Sequence, residues 1–543
     1  MNRYRKLPDI PSADQTPLTQ ELVQIILDQQ EDMRDLQDEI LRLKGLKGRP
    51  NIKPSKMDSS ASSSNGVGDG CIDKDKPQKD GETEKKDGRK ATSKPKESKT
   101  ESITIHKTEK VSASAPEGAE FKGYKEFVVQ DLIIQSCNTR YLLEQWQIVG
   151  GGYIIAKPPS EFNGGHFGTT LVSFSIDQHF GQRVTQPMLL EQLRCMGVKI
   201  SYGQLSRILT SDKYGLHDEK DAILQAGIES SNYLQTDDTG ARHAGKNGYC
   251  TFVGNELFSW FKSTESKSRV NFLELLRSGR PGYVLNAGAL EYMADYKLPQ
   301  QFLRLLDTEQ KFFDKKSWED FLDQKGIKST RHRKIATEGA LMGELLASGF
   351  PKDMTIMSDD AGQFNIFNHA LCWIHAERVI LKLNPINDDR KKAVDWARDQ
   401  IWNLYADLKL YKLDPSNNKS LAKDIRSRFD VFCATITCYP DLNNALQRLY
   451  RNKDELLLVL DKPWIPLHNN LSESDIREFV QKRKISGGTR SPNGRRCRDT
   501  YASLRKTCRK HGISFWEFLK DRIGGLNQIP YLPDVIRRAV CSA

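Results

Sequence analysis

The sequence lacks a cysteine framework, which excludes a disulfide-stapled secreted domain. Its 10 cysteines are scattered, and no Cys-x-x-Cys pair occurs, so we expect no disulfides and a reducing cytoplasm. The N-terminus has no apolar signal region, and no run of apolar residues reaches the length of about eighteen that a membrane-spanning helix needs. We therefore predict a soluble, intracellular protein with no membrane partner.

Positive charge is in excess. The chain has 82 Lys and Arg against 71 Asp and Glu, a net charge of +11. This balance suits a polyanionic partner, most often nucleic acid, although an ordinary basic protein can share it. With 543 residues and 38% hydrophobic content, the chain can build about two to four domains with real cores.

Large apolar residues are nearly absent from residues 49–120, which are rich in Ser, Lys, Asp, Gly and Pro. This composition predicts a disordered polar linker. Residues 1–48 before it predict a helix with a heptad seam, so we expect a zipper that joins copies of the chain into a homo-oligomer. The alternative is an amphipathic helix packed on its own protein. The seam consists of Leu22, Ile26, Gln29, Met33, Leu36, Ile40 and Leu43.

Residues 121–215 predict a small strand-turn region followed by a helix-turn-helix. The runs at 127–134 and 145–156 look like short strands. Gly197 can supply the turn between two helices, and Ser201 with Gln204 forms a capping box for the second. That helix would present four side chains to a DNA groove, although many such helix pairs never touch DNA. The four are Tyr202, Gln204, Ser206 and Arg207.

Residues 230–490 predict an α/β domain with a mixed sheet. Three consecutive strands begin near Asn232, and the runs MTIMSDD and ALCWIHAERVILKL predict a further strand and a helix. The stretch from about 270 to 350 reads as mostly helical, and about 388–460 reads as a helical insertion. Residues 491–543 form a basic C-terminal region.

Three acidic residues stand in settings that suit a two-metal site. Asp237 and Asp359 each end a strand-like run, and Glu473 opens a helix. If the strands lie side by side, these carboxylates can converge on two Mg²⁺ or Mn²⁺ ions, which prefer oxygen ligands and catalyse displacement at phosphodiesters. For Glu473 the competing interpretation is a capping box with Asn470.

The motifs around these acids resemble those of the insertion sequence 66 family of transposases. DDTGARHAGKNGYCTFV is similar to that family's Asp-Glu-Thr segment and hairpin. SDDAGQF with ALCWIHAERV is similar to its strand end followed by Cys-Trp-x-His, and NNLSESDIREFVQKRKISGG to its Asn-Asn-x-x-Glu helix. The resemblance runs in the same order from about residue 120 onward.

The resemblance implies an Asp-Asp-Glu transposase with a ribonuclease H-like catalytic domain. Asp237, Asp359 and Glu473 would hold the metal ions, and the motifs select Asp237 over Asp238 and Asp359 over Asp360. The protein would cut double-stranded DNA at the ends of a transposable element and join them to target DNA, with accessory transposition proteins as possible partners. It would work in the bacterial cytoplasm, at the nucleoid.

Several further residues are candidates for supporting roles. Arg477 could orient Glu473 or contact phosphate, or form a plain ion pair with it. The basic run Lys482, Arg483 and Lys484 suits DNA phosphates. Cys372 and His375 share a helix face and could pack beside the active site. Joined by Cys433 and Cys438 they could instead form a zinc site, although the spacing matches no standard motif.

The sequence departs from the family's pattern in three places, one of which is the helical stretch at about 270–350, which is longer than the common pattern. Only Cys137 remains where many relatives carry paired cysteines, so we assume no zinc finger, and His468 replaces the usual aspartate before the two asparagines. Two other functions stay open. A ribonuclease H-like nuclease would share the three acids, and a non-catalytic, transposase-derived DNA-binding protein would share the fold.

Overall fold

The computed structural model describes residues 104–114, 118–159, 165–211, 215–280 and 282–541. The chain divides into two compact units, residues 1–128 and 129–543. The described residues of the first unit contain no helix or strand. The predicted zipper at 1–48 and most of the predicted linker lie outside the described residues. Within the described residues, no helix is long and apolar enough to span a membrane.

The strands of the described residues are numbered along the chain. They are β1 (Gln145–Gln147), β2 (Tyr153–Ile155), β3 (Tyr233–Gly240), β4 (Tyr249–Gly254), β5 (Ser259–Thr264), β6 (Tyr283–Leu285), β7 (Gln310–Phe312), β8 (Thr355–Ser358) and β9 (Asn368–Leu371). Five of them form a mixed sheet in the order β5-β4-β3-β8-β9. The first three are antiparallel neighbours, whereas β3 with β8 and β8 with β9 are parallel. The protein is thus a mixed α/β protein, as predicted.

The helices surround this sheet and fill the insertion. They are α1 (Thr169–Ile176), α2 (Gln186–Cys195), α3 (Tyr202–Thr210), α4 (Leu216–Glu229), α5 (Arg269–Leu276), α6 (Ala287–Asp295), α7 (Gln300–Leu306), α8 (Lys315–Gln324), α9 (Thr330–Ala347), α10 (Trp373–Leu381), α11 (Asp388–Leu413), α12 (Lys419–Ala434), α13 (Pro440–Arg451), α14 (Lys453–Leu456), α15 (Asn470–Ser486), α16 (Pro492–Lys510), α17 (Phe515–Ile523) and α18 (Leu532–Cys541). Helices α11 to α13 supply most of a second hydrophobic cluster, which also includes Trp373, Ala376 and Ile380 of α10.

The two faces of the sheet are buried by different helices because strand side chains alternate. On β4, Val253 belongs to the main core, whereas Phe252 faces the other way, into a small cluster with Ile476 and Phe479 of α15. Phe479 stacks on Phe261 of β5 with ring centroids 5.8 Å apart. Helix α15 is therefore fixed to one face of the sheet by buried aromatic contacts.

Helix α16 covers the edge of the sheet formed by β5. Three of its side chains, four residues apart, accept hydrogen bonds from alternate backbone N–H groups of the edge strand β5. The pairs are Ser263 N to Asp499 Oδ2 at 2.7 Å, Phe261 N to Ser503 Oγ at 2.9 Å, and Ser259 N to Thr507 Oγ1 at 3.2 Å. The spacing matches because four helical residues and two strand residues both advance about 6–7 Å. Contrary to our division at residue 491, this part of the basic C-terminal region belongs to the sheet domain.

Two secondary-structure predictions were wrong. The run at 127–134 forms no strand, and its side chains are largely exposed. The predicted helix from Ala370 begins only at Trp373, because Asn368–Leu371 pairs with β8 as the edge strand β9. The region 270–350 also contains β6 and β7, a small antiparallel pair between its helices.

The predicted helix pair and its turn are present. Helices α2 and α3 are joined through Gly197, whose φ of +84° belongs to the left-handed region that glycine adopts most easily. Ser201 caps α3, and Gln204 returns a bond to the Ser201 N–H, so the predicted capping box is formed. Before this pair, β1 and β2 form an antiparallel hairpin within the run 145–156, whose sequence predicts a short strand.

Candidate active site

Parallel pairing of β3 and β8 brings the two aspartates to the same end of the sheet. Gln235 of β3 lies opposite Met357 of β8, and two residues further on each chain reaches Asp237 or Asp359. The pKa of Asp237 is raised to about 7, mainly by burial and also by the negative charges of Asp359, Asp238 and Glu473, against an opposing backbone hydrogen bond from Asp238. A raised carboxylate pKa of this origin marks a cluster of acids in a partly dry site.

Strand alternation separates Asp237 from its neighbour. Asp237 pairs across the sheet with Phe252, whose side chain faces α15, and Asp238 pairs with Thr251. The Asp238 carboxylate accepts bonds from Thr251 Oγ1 and, at 2.9 Å, from Gln363 Nε2. Asp237 therefore lies on the face that carries Glu473, and Asp238 serves as a structural acceptor on the other.

Asp359 and Asp360 also have different surroundings. Asp360 forms an ion pair with Arg448, whose Nε lies 2.8 Å from Asp360 Oδ2. The Oδ1 atom of Asp359 is buried and has no hydrogen-bond partner in the described part of the chain. Because an unpartnered buried carboxylate oxygen is costly, this atom is suited to an added cation or donor.

Glu473 lies in the first turn of α15, but it does not cap that helix. The N-cap is Asn469, with no side-chain capping bond, so the capping-box alternative is not formed. Instead Glu473 Oε1 lies 3.3 Å from Arg378 Nη1 and 3.6 Å from His375 Nε2. The Cys-Trp-x-His segment of α10 therefore contacts the third acid directly.

Two contacts hold α15 alongside β3. Gln235 Oε1 accepts a 3.2 Å bond from the Ser472 N–H at the start of the helix. Near its end, Arg483 Nη1 bonds to Thr239 Oγ1 at 3.2 Å and to the Gly240 carbonyl. The five residues of strand and eleven of helix between these contacts both span about 17 Å. Glu473 is thus fixed in register with β3.

A buried hydrogen-bond chain supports the backbone beside Asp359. Ser358 Oγ lies 2.8 Å from His369 Nε2, and His369 Nδ1 lies 3.0 Å from Glu455 Oε1. Ser358 also donates to the carbonyl of Asp359. Ser358 is fully buried, so this Ser-His-Glu chain cannot act as a nucleophilic triad and instead holds the strand end. It was missed in the sequence because β9, which carries His369, was not recognised as a strand and the helix was expected from Ala370 onward.

Two of the three acids, Asp237 and Asp359, are suited to bind a hard cation, whereas Glu473 is occupied by another contact. Asp237 and Asp359 supply carboxylate oxygens, the ligands that Mg²⁺ and Mn²⁺ prefer, and Asp359 Oδ1 lacks a partner. In the arrangement described here, however, Glu473 is engaged by Arg378. Within the described residues, no group of three or more His, Cys, Asp or Glu side chains is arranged so that it could hold a metal ion.

Of the three candidate thiols, Cys372 and Cys433 are buried packing groups. Cys372 is buried at the start of α10, and burial raises the pKa of its thiol. Burial likewise raises the pKa of Cys433 to about 12, while Cys438 is exposed. His375 faces Glu473 rather than these cysteines, and the described residues contain no group of three or more His, Cys, Asp or Glu side chains that could hold a metal ion, so nothing here supports a zinc site.

The candidate DNA-binding side chains differ in accessibility. Tyr202 and Arg207 on α3 are exposed, Ser206 is half-buried, and the Gln204 side chain is used in the capping box. We therefore no longer expect Gln204 to contact a base.

On α15, Arg477 and Lys484 are exposed, whereas Arg483 is half-buried against β3. Arg477 forms no ion pair with Glu473, whose partners are Arg378 and His375. Lys482 does not fit its predicted role. It is buried, and its ammonium donates to the carbonyl of His179 at 2.6 Å, so it is not available to a phosphate.

These features define an α/β protein with an acidic cluster at the ends of adjacent parallel strands. A model of the Transposase IS66 family matches residues 330–496, a span that includes Asp359 and Glu473 and begins after Asp237. The uncharacterised protein y4jO of Sinorhizobium fredii (strain NBRC 101917 / NGR234) is 44% identical over 306 residues, which are 56% of this chain and 95% of that protein. The chain belongs to the IS66 family of transposases, a family that implies DNA binding.

Proposed function

We propose that the protein is an Asp-Asp-Glu transposase with a ribonuclease H-like catalytic domain. It would cut DNA at the ends of a transposable element and join those ends to target DNA. The observation that carries this proposal is the parallel register of β3 and β8, which brings Asp237 beside Asp359 on the face that carries Glu473. Membership of a transposase family supports the substrate.

Asp237 and Asp359 would hold two Mg²⁺ or Mn²⁺ ions. Glu473 would complete their ligands after exchanging its contact with Arg378. When bound, such ions supply charge stabilisation at the attacking and leaving oxygens of an in-line displacement. The fit rests on the chemistry of the carboxylates and on the unpartnered Oδ1 of Asp359.

The reaction would take place in two steps at this site. In the first, a water oxygen bonds to phosphorus at the element end and the bond to the 3′ oxygen breaks, which frees a 3′-hydroxyl. In the second, that hydroxyl oxygen attacks a phosphorus of target DNA and displaces another 3′ oxygen. Once released from Glu473, Arg378 would be placed to contact the reacting phosphate. His375 lies beside Arg378.

DNA recognition would be divided between two surfaces. Tyr202 and Arg207 are exposed on α3, the second helix of the pair, where side chains could reach base edges. Cations near α15 would contact phosphates, which position the duplex but carry no sequence information. Arg207→Ala should therefore weaken binding to element ends more than binding to random duplex.

The test is incubation of the purified protein with an end-labelled duplex from the element terminus and Mg²⁺ or Mn²⁺. Strand cleavage that frees a 3′-hydroxyl, and its loss in Asp237→Asn, is the expected result. Specific binding without cleavage in either metal would contradict the proposal and would identify a non-catalytic DNA-binding protein. Cleavage without any joining of ends to target would instead identify a nuclease.

A further inference from the structure

The tip of the β3–β4 hairpin is joined to the loop that follows α15. Ala244 N donates to the Thr489 carbonyl at 2.8 Å, and Thr489 N donates to the Arg242 carbonyl at 3.0 Å. The side chains of His243 and Thr489 are also in contact, with Nδ1 and Oγ1 2.8 Å apart. Two loops that are distant in sequence thereby form one continuous surface.

A glycine makes this close approach possible. A Cβ atom added at Gly488 would lie 2.4 Å from the carbonyl oxygen of Arg242. Real side chains do not tolerate such a distance to backbone, so any larger residue would push the hairpin away from the loop. The junction therefore requires glycine at position 488. In the same loop, the Gly487 carbonyl accepts a 3.0 Å bond from Arg498.

The joined surface is strongly basic. Residues 239–249 and 479–498 contain no Asp or Glu. We define the basic platform as the exposed cations of these two segments, Arg242, Lys246, Lys484, Arg490 and Arg496. Among the salt bridges of the described residues, none involves these five cations.

Four cations further along α16 are paired with two carboxylates of α15. On α16, Arg505, Lys506 and Arg509 all pair with Glu478 of α15, and Lys510 pairs with Asp475. The basic platform is different, because its five cations lie together and none forms an ion pair with an acidic side chain of the described residues. Such a concentration of positive charge raises the local affinity for a polyanion.

The platform lies at a defined distance from the carboxylates. Arg483, which links α15 to the hairpin, is ten residues after Glu473, about 15 Å along the helix. Gly240, its partner, is three residues after Asp237, about 10 Å along the strand. Phosphates of one DNA strand advance about 3.4 Å each along the helix axis. For a duplex that lies along α15 and β3, the platform therefore begins about three to five nucleotides from the acids.

We propose that the basic platform binds the phosphate backbone of duplex DNA about three to five nucleotides from the bond that is cut. This inference rests on the proposed function, because it takes the three acids as the place of cutting. The platform would set the register of the duplex on the site, while the helix pair would choose the sequence.

The test compares two triple variants that remove the same charge. Arg242→Gln/Lys246→Gln/Arg490→Gln removes three platform cations. Arg331→Gln/Lys352→Gln/Arg451→Gln removes three exposed cations that lie outside the platform and have no ion pair among the described residues. Binding to random duplex is titrated against salt in EDTA, so that no cleavage is required. The platform variant should lower the slope of log affinity against log salt by about 2 to 3, and the control by little.

A second variant tests the junction without removing charge. Gly488→Ala should lower the salt slope because it displaces Arg242 and Lys246. Gly362→Ala, at a site with open space around it, should not. Phosphate-ethylation interference should show contacts about three to five nucleotides from the cleaved bond, lost in the platform variant. Equal slopes for the two triple variants, or interference elsewhere, would overturn the proposal; absence of cleavage alone would count against the proposed function only.

Discussion

At the scale of single residues, the adjacent aspartates of each pair have different surroundings. Asp238 and Asp360 are occupied by hydrogen bonds or by an ion pair, whereas Asp237 and Asp359 face the cluster. The sequence motif selected the same members, but periodicity could not, because it does not tell which face of a strand will be covered by α15.

Replacement of Asp359 by Asn should abolish strand cleavage, because an amide cannot supply the charge that a divalent ion needs. Asp360→Asn should retain nearly full activity, since it loses only a half-exposed ion pair with Arg448, worth about 1 kcal/mol or less. DNA affinity should stay within about twofold in both variants, because the affinity comes from cations elsewhere. Loss of cleavage in Asp360→Asn with full cleavage in Asp359→Asn would reverse the assignment.

Lys482 shows what a basic run in a sequence cannot reveal. Burial lowers the pKa of its ammonium to about 7, assisted by the charges of Arg498 and Arg183. In the sequence it is indistinguishable from Lys484, but one faces the interior and the other solvent. Helical periodicity would separate them only if the packed face of α15 were known beforehand.

The lowered pKa of Lys482 makes stability depend on pH. Between about pH 7 and pH 10 the folded state binds fewer protons than the unfolded state, so the free energy of unfolding rises with pH. Lys482→Met should lose this rise. Across that range, the free energy of unfolding of the wild type should rise by about 2–4 kcal/mol relative to that of the variant, as measured by urea unfolding. DNA binding should not change, and a parallel pH profile in the two proteins would contradict the burial of a charged amine.

At the scale of elements, the register of α15 along β3 places the third acid. The strands β3, β4 and β5 could be predicted from their composition and from the Asn-Gly turn. The strand β9 could not, because its four residues lead directly into an apolar helix. No local pattern indicated that Gln235 would bond to the first turn of a helix more than 230 residues later.

Gln235→Leu tests whether this bond positions Glu473. It should leave DNA binding nearly unchanged and cost about 1–3 kcal/mol of stability, because the buried Ser472 N–H loses its acceptor. It should also lower the cleavage rate about 10- to 100-fold and raise the metal concentration needed, as changes behind metal ligands do. Gln235→Glu keeps the acceptor oxygen and should recover part of the rate. If the rate falls only in proportion to lost stability, or Gln235→Glu gives no recovery, Gln235 is a packing residue only.

At the scale of the whole molecule, the C-terminal helices complete the sheet domain. The side chains of Asp499, Ser503 and Thr507 satisfy the edge of β5, and α18 packs on α4. The basic composition after residue 491 concealed this role, because it suggested a separate DNA-binding tail. The only available indication of this role was the spacing of these three polar residues, four apart along a helix. That spacing predicts contact with a strand edge only when the partner strand is already known.

Removal of residues 491–543 should prevent folding of the sheet domain, because β5 would lose both its hydrogen-bond acceptors and its cover. Near-ultraviolet circular dichroism should show no fixed aromatic environment. In the full-length chain, Ser503→Ala should cost about 1–3 kcal/mol by leaving the Phe261 N–H unpaired, measured by chemical denaturation. A folded, cleaving protein after the truncation would show that the C-terminal region is an appendage.

The central claim is that the acidic cluster holds the ions that cut DNA, and a metal-specificity switch at Asp359 tests it most directly. A thiolate binds Mn²⁺ more readily than Mg²⁺, because Mg²⁺ strongly prefers oxygen ligands. Cleavage of labelled element-end DNA by Asp359→Cys is measured in each metal, beside wild type and Asp359→Ala. The account predicts that Asp359→Cys is inactive in Mg²⁺ and regains cleavage in Mn²⁺, while Asp359→Ala stays inactive in both. Equal activity of Asp359→Cys in the two metals, or activity of Asp359→Ala, would contradict it.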